Sequence, residues 1–149
     1  MIRRAHSQDL SHLTRLLHAY RLFYQKAGQE EAEYAFLQER LTREDSLIYL
    51  GFSEQDPEYP VGFAQVYHAF STVQLGPILI LNDLYVEEAF RGRGLGTKLI
   101  GAVIRYMEDT GCRKILLQTN RDNYVAQRLY ERMGFIQESH SHFYEYMNR

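Results

Sequence analysis

The chain has 149 residues, 45% of them apolar and 24% charged, with a formal net charge of −2. That length predicts one domain over 1–149, since domains usually take roughly 100–200 residues, and the composition excludes the disordered, collagen-like and coiled-coil classes. The charge balance excludes a general nucleic-acid binder, which needs a strongly basic face.

Residues 2–5 read as a first strand, and Ser7 is the expected N-cap of a helix carrying Leu10, Leu13, Leu16, Leu17 and Tyr20 at helical spacing. Gly28 breaks it. A second helix over 30–41 carries Tyr34, Leu37 and Leu41 on one stripe, with acids in its first turn where the macrodipole favours them. Strand-like runs follow at 47–52, 61–70 and 78–86, and their short connections predict antiparallel neighbours. After a glycine cluster, Leu95, Leu99, Ala102, Val103 and Tyr106 form a helical stripe that stops at Gly111, a suitable left-handed C-cap. A strand at 114–119, a helix at 123–133 stopped by Gly134, and short strands at 135–139 and 142–147 complete the order βααβββαβαββ. The expected fold is α/β: a central mixed, mainly antiparallel sheet flanked by helices, with 78–119 as a right-handed parallel crossover.

Apolar runs such as Ile78-Leu79-Ile80-Leu81 fall far short of the roughly 20 residues that cross a bilayer. The start, Met1-Ile2-Arg3-Arg4-Ala5-His6, leads into no signal-like stretch, and the single Cys112 fits a reducing compartment. The chain therefore reads as cytoplasmic, with no membrane partner.

Arg91-Gly92-Arg93-Gly94-Leu95-Gly96-Thr97 lies between a strand and a helix start, where free backbone N–H groups and the helix dipole favour an anion. Glycines allow close approach to phosphate oxygens, and Arg91 and Arg93 add charge-assisted donors. The order Gly96-Thr97-Lys98 does not match the P-loop, and glycines at 92, 94 and 96 do not match the dinucleotide fingerprint. The loop alone is thus either a phosphate cradle or a plain tight turn.

Arg91-x-x-Gly94-x-Gly96 following Leu84-Tyr85-Val86 resembles motif A of the GCN5-related N-acetyltransferases (GNAT). Downstream, Asn123-x-x-Ala126-x-x-Leu129-Tyr130-x-x-x-Gly134-Phe135 resembles that family's second signature, and the element order is similar over 2–147. More narrowly, Gly62-Phe63, Leu81-Asn82-Asp83-Leu84-Tyr85-Val86 and Phe143-Tyr144-x-Tyr146 look like the Hpa2-like, polyamine-acetyltransferase-like branch.

The resemblance implies an enzyme that transfers acetyl from acetyl-CoA to a primary amine by direct attack in a ternary complex, with no metal. It implies cofactor contacts from Leu84, Tyr85, Val86, Arg91, Gly92, Arg93, Gly94, Leu95, Gly96, Thr97, Asn123 and Tyr130. The backbone amides at the strand end, Val86 included, would face the thioester carbonyl. Tyr130 would protonate the departing thiolate, and its alternative is a core tyrosine. Asn123 is a pantetheine neighbour, an N-cap, or both. Where polyamine-type relatives carry Glu-Asp, this chain has Asn82-Asp83. Asp83 is then the nearest carboxylate to a water-mediated base, or else binds substrate or anchors a loop. Alternation puts Asn82, Leu84 and Val86 on one face and Asp83 and Tyr85 on the other.

The substrate side is expected from Tyr20, Phe23 and Tyr24 together with Asn82 and Asp83. Glu30, Glu31 and Glu33 read as a solvated helix face before an acidic rim. His140-x-His142 lacks further ligands at metal-binding spacing. The acceptor is a small-molecule or peptide amine. The alternatives are a protein or amino-acid acetyltransferase, or a non-catalytic acyl-CoA sensor, which the missing carboxylate at position 82 keeps open. Residues 143–146 are either a homodimer edge or an ordinary packed strand.

Overall fold

A computed structural model describes residues 1–148. Met1–Gln118 forms one compact unit, and a smaller one begins at Thr119. The larger unit holds a five-stranded sheet in the order β1 (Ile2–Arg4), β2 (Ser46–Phe52), β3 (Pro60–Ser71), β4 (Gly76–Val86) and β5 (Ile115–Leu117). The first four strands pair antiparallel and β4 pairs parallel with β5, as the short connections and the crossover predicted.

Helices α1 (Leu10–Phe23) and α2 (Glu30–Arg43) precede β2, and α3 (Leu95–Thr110) makes the crossover. Leu13, Leu16 and Leu37 of the first two helices pack on Ile48, Leu50, Phe52 and Phe63, the alternate residues of one sheet face. Burying each such side chain stabilises the fold by about 1.5–3 kcal/mol. On the opposite face Leu95 of α3 fills the space that Gly51 and Gly62 leave open. A Cβ at Gly62 would come within 2.9 Å of the Tyr85 carbonyl oxygen, so that glycine lets β3 and α3 close on the end of β4. Gly111 ends α3 with φ +73°, the left-handed cap expected there.

Three expectations are corrected. Ser7 does not cap α1: it lies in a 3-10 turn, Ser7–Asp9, and Asp9 is the N-cap residue. The Asp9 carboxylate accepts from the His6 amide at 2.7 Å and from Arg3 at 2.8 and 2.9 Å, so the acid that tightens the turn is the stronger organiser.

Strict alternation in β4 also fails. Val66 pairs with Leu81 and Gln65 with Asp83, which leaves Asn82 as the extra residue of a β-bulge. Asp83 and Tyr85 do share a face, but Asn82 is out of phase with Leu84 and Val86.

The strands expected at 135–139 and 142–147 are absent from the described residues. Their alternation does not select a register, because both phases are exposed: Phe143 and Tyr144 are 70% and 85% accessible, and Ile136 93%. The smaller unit instead holds one helix, α4 (Tyr124–Arg132), which is a residue shorter at each end than its periodicity suggested.

Candidate active site

The bulge in β4 brings Asn82 and Asp83 together. Asn82 Nδ2 donates to Asp83 Oδ2 at 3.0 Å, and the Tyr20 hydroxyl on α1 also hydrogen-bonds this carboxylate. Burial pushes the Asp83 carboxyl above the ordinary carboxylate range, and the two hydrogen bonds offset only part of that shift. Its cross-strand neighbour Gln65 is buried, with Oε1 unpaired among the described residues. Burial, and then the charge of Asp83, push the Tyr67 hydroxyl up to about 12.

Around Asp83 stands an aromatic wall. Tyr20 lies edge-on to Tyr24, Phe63 and Tyr85, with ring centres 4.9, 5.7 and 5.8 Å apart. Phe23 meets Tyr24 at 5.2 Å and Tyr85 at 6.3 Å. The expected substrate residues Tyr20, Phe23 and Tyr24 are thus gathered beside Asn82 and Asp83. Phe63 and Tyr85 complete the wall because the register of β3 and β4 puts them opposite one another.

Arg15 holds α1 against the strand ends. It pairs with Glu87 just beyond β4, donates from Nη2 to the Pro60 carbonyl at 2.6 Å and covers the Tyr59 ring at 4.2 Å. On the outer side of α1, Glu33 is 3% exposed and accepts from Arg21, while its other oxygen contacts His18 Nδ1, both at 2.9 Å. Glu33 is therefore neither a solvated helix face nor an acidic rim. No sequence signal marked the Arg15 clip or the Glu33 cluster, since both join residues from different elements.

After β4 a 3-10 turn, Glu88–Phe90, leads into the glycine loop. Gly92 and Gly94 adopt φ +77° and +82°, the left-handed region, and a Cβ on either would meet nothing within 4 Å. Their need for glycine is therefore one of backbone conformation, with open space beside it. The first bond of α3 runs from the Lys98 amide to the Gly94 carbonyl at 3.1 Å. The amides of Leu95, Gly96 and Thr97 precede that bond and have no partner within the helix. Free N–H groups at a helix start, beside uncrowded glycines, are suited to an anion.

The two arginines of the loop rest on aromatic rings. Arg91 Nε donates to the Val86 carbonyl at 2.7 Å, and its guanidinium lies over Phe23 at 5.0 Å and Tyr85 at 5.6 Å. Arg93 lies over Phe90 at 5.5 Å. The electron-rich face of a ring attracts a delocalised cation even where the ring is exposed, as Phe23 is. Leu84 and Val86 line the opposite sheet face, toward α3, while Tyr85 belongs to the aromatic wall. Beside the loop a cavity of about 160 Å³ lies between Phe52, Glu54, Phe90, Arg93 and Lys98. It is smaller than the roughly 300–1,000 Å³ typical of ligand pockets.

In the smaller unit, Asn123 is the N-cap of α4, its Oδ1 accepting from the Ala126 amide at 3.2 Å. Tyr130 is half-buried, with its ring 5.9 Å from that of Phe135. The Phe135 amide bonds back to the Tyr130 carbonyl at 3.0 Å, across the turn at Gly134 (φ +97°). Cys112 Sγ lies 3.3 Å from the Thr110 hydroxyl. Among the described residues no three His, Cys, Asp or Glu side chains are grouped to hold a metal, and no helix is long and apolar enough to cross a membrane.

The mixed sheet, its parallel crossover and the glycine turn that opens α3 are the features on which the chain can be compared with known proteins. The family model "Acetyltransferase (GNAT) family" matches residues 13–135, and the chain belongs to that family as an N-acetyltransferase. It is 36% identical over 138 residues to the uncharacterized N-acetyltransferase YhfO of Bacillus subtilis, covering 93% of this chain and 91% of that one. The thialysine N-epsilon-acetyltransferase of Bos taurus is 30% identical over 152 residues, covering 90% and 82%. The crystal structure of a probable acetyltransferase superposes with a TM-score of 0.92 at 32% identity, covering 100% of this chain and 98% of that one.

Proposed function

We propose that this chain acts as one N-acetyltransferase domain over 1–149, moving acetyl from acetyl-CoA to a primary amine of a small molecule or peptide. The observation that carries the reading is the start of α3, where the Leu95, Gly96 and Thr97 amides stand free of helical bonds beside two left-handed glycines. Those amides and the backbone of residues 91–94 would hold the pyrophosphate, with Leu84, Tyr85 and Val86 along the pantetheine. When bound, acetyl-CoA supplies a thioester: the N–C bond forms as the C–S bond breaks, the amine proton passes to Asp83 or water, and CoA leaves as the thiol.

Asp83 is the proposed base. A carboxyl lifted by burial is better matched to accepting a proton near neutrality than an exposed one. Asn82 cannot serve as a base, and its amide orients Asp83 instead. Tyr130 is the proposed donor to the departing thiolate, on the strength of its place in the Asn123 to Phe135 motif, and Asn123 is proposed to meet the pantetheine as well as capping α4. The lone Cys112 supports a cytoplasmic setting, and the exposed aromatics at 143–146 support a homodimer whose sedimentation depends on concentration.

The test is CoA release from acetyl-CoA across amino acids, polyamines, aminoglycosides and peptides. Tyr130→Phe and Asp83→Asn are each expected to lower kcat at least tenfold with acetyl-CoA affinity within threefold of the parent. Unchanged kcat in either variant removes that residue from the mechanism.

A further inference from the structure

Gln65 lies in the middle of β3, 2% exposed, and its Oε1 has no hydrogen-bond partner among the described residues. Burying a carbonyl oxygen without a donor is costly, so its neighbours are the place to look for one. The register leaves few. Across β2 the opposite residue is Ile48, and along the same face of β3 stand Phe63 and Tyr67. The Gln65 side chain hydrogen-bonds the Tyr67 hydroxyl, and with Oε1 unpaired that bond uses Nε2. Across β4 the opposite residue is Asp83, and directly opposed side chains stand with Cβ atoms about 4.5–5.5 Å apart. While Asp83 is ionised, two groups whose free oxygens can only accept are therefore neighbours.

The other groups around Asp83 do not resolve this. Asn82 Nδ2 donates to Oδ2 at 3.0 Å, and Tyr20 of α1 hydrogen-bonds the same carboxylate. Tyr85, next on that face of β4, lies beneath Arg91, while Arg40 of α2 and Asp45 before β2 act on Tyr67. Among the described residues, a proton on Asp83 is what gives both the carboxyl and the Gln65 oxygen a partner.

We propose that Gln65 is a positioning residue for acetyl transfer: when Asp83 takes the proton of the acceptor amine, the new carboxyl O–H donates to Gln65 Oε1. The inference rests on the reading of Asp83 as the base. The amine N–H bond breaks as the carboxyl O–H bond forms, the N–C bond replaces the C–S bond of the thioester, and the carboxyl later returns its proton to water. Gln65 forms no covalent bond and acts through Asp83 alone. An acceptor beside a carboxyl favours the protonated form, which makes the carboxylate a stronger base. The bond to Tyr67 fixes which end of the amide serves.

The experiment follows the Asp83 carboxyl by 13C NMR of protein labelled at the aspartate carboxyl carbons, its resonance assigned by loss in Asp83→Asn. Gln65→Met keeps the side-chain length and removes the acceptor. The Asp83 midpoint is expected to fall by about 0.5–1 pH unit, as one hydrogen bond predicts, and the acid limb of kcat/KM for lysine, spermidine or neamine to fall with it. Gln65→Glu sets two carboxyls side by side to share one proton, and there the midpoint is expected to rise by about one pH unit or more. An unchanged midpoint in Gln65→Met means packing alone and overturns the inference. A rise in that variant means that the amide donates to the carboxylate, which overturns it equally. Should Gln65→Met fail to fold, an unmoved midpoint in Gln65→Glu overturns it instead. A midpoint that falls while the kinetic limb stays in place overturns Asp83 as the base, and with it the part of Gln65 in the reaction. No turnover with any amine overturns the acetyltransferase reading, while the titration still decides the contact between Gln65 and Asp83.

Discussion

Glu33→Gln tests how α2 is held against α1. Glu33 accepts from Arg21 and contacts His18, both at 2.9 Å, and Glu30 lies 3.8 Å from the far side of the same imidazole. Hydrogen bonds to charged groups contribute about 1.5–3 kcal/mol each when shielded. The partners are 29% and 27% accessible, so solvent screening holds the pair of interactions near 2–3 kcal/mol in total. At roughly 2–4 °C per kcal/mol for a chain of this size, Tm falls by about 4–12 °C. Burial alone would raise the Glu33 pKa, but the bonds from His18 and Arg21 outweigh it and hold the carboxyl below the ordinary range. A depressed pKa stabilises fully above the unfolded value near ~4.3 and is lost as pH falls through the folded one. Urea unfolding of parent and variant should therefore show a gap of about 2–3 kcal/mol at pH 7 that narrows by pH 3. A gap below about 0.5 kcal/mol at pH 7, or one unchanged at pH 3, would refute the assignment of net attraction to this cluster.

Gly94→Ala should cost about 1–2 kcal/mol by calorimetry because φ is +82° while nothing crowds the new methyl. Gly101→Ala, equally uncrowded but inside α3, should instead gain about 0.5–1 kcal/mol; the same sign for both would mean that backbone conformation is not what distinguishes them. Leu16→Ala empties a fully buried site under α1 and should cost about 2–5 kcal/mol in urea unfolding, with a loss below 1 kcal/mol indicating a collapsible core.

Much of this molecule is legible from sequence because its elements carry local signals. Leu13, Leu16 and Leu37 repeat at helical spacing and bury, Gly111 and Gly134 take the left-handed φ that ends a helix, and the loop from Arg91 to Thr97 sits at a helix start. Tyr20, Phe23 and Tyr24, singled out on the opening helix, do contact one another in turn, and Tyr20 bonds Asp83. What stayed hidden depends on pairing between distant segments. The bulge at Asn82 exists only in the ladder with Gln65 and Val66. The turn of Arg91 onto Phe23 joins α1 to a loop that follows β4. The apolar alternation at 142–147 has β-propensity, but a strand also needs a neighbour to fix its register, and that is not encoded in the segment itself.

The bulge also makes one position of the sheet removable. Because Asp83 pairs with Gln65 and Leu81 with Val66, excising Asn82 would join two stretches already in step with β3. Every side chain on either side would keep its face and its partner. A chain one residue shorter could then fold with an unbroken ladder, while losing the kink and the amide that hold Asp83 in place. The bulge is in this sense an insertion: the strand ladder does without Asn82, whereas the hydrogen bond to Asp83 depends on it.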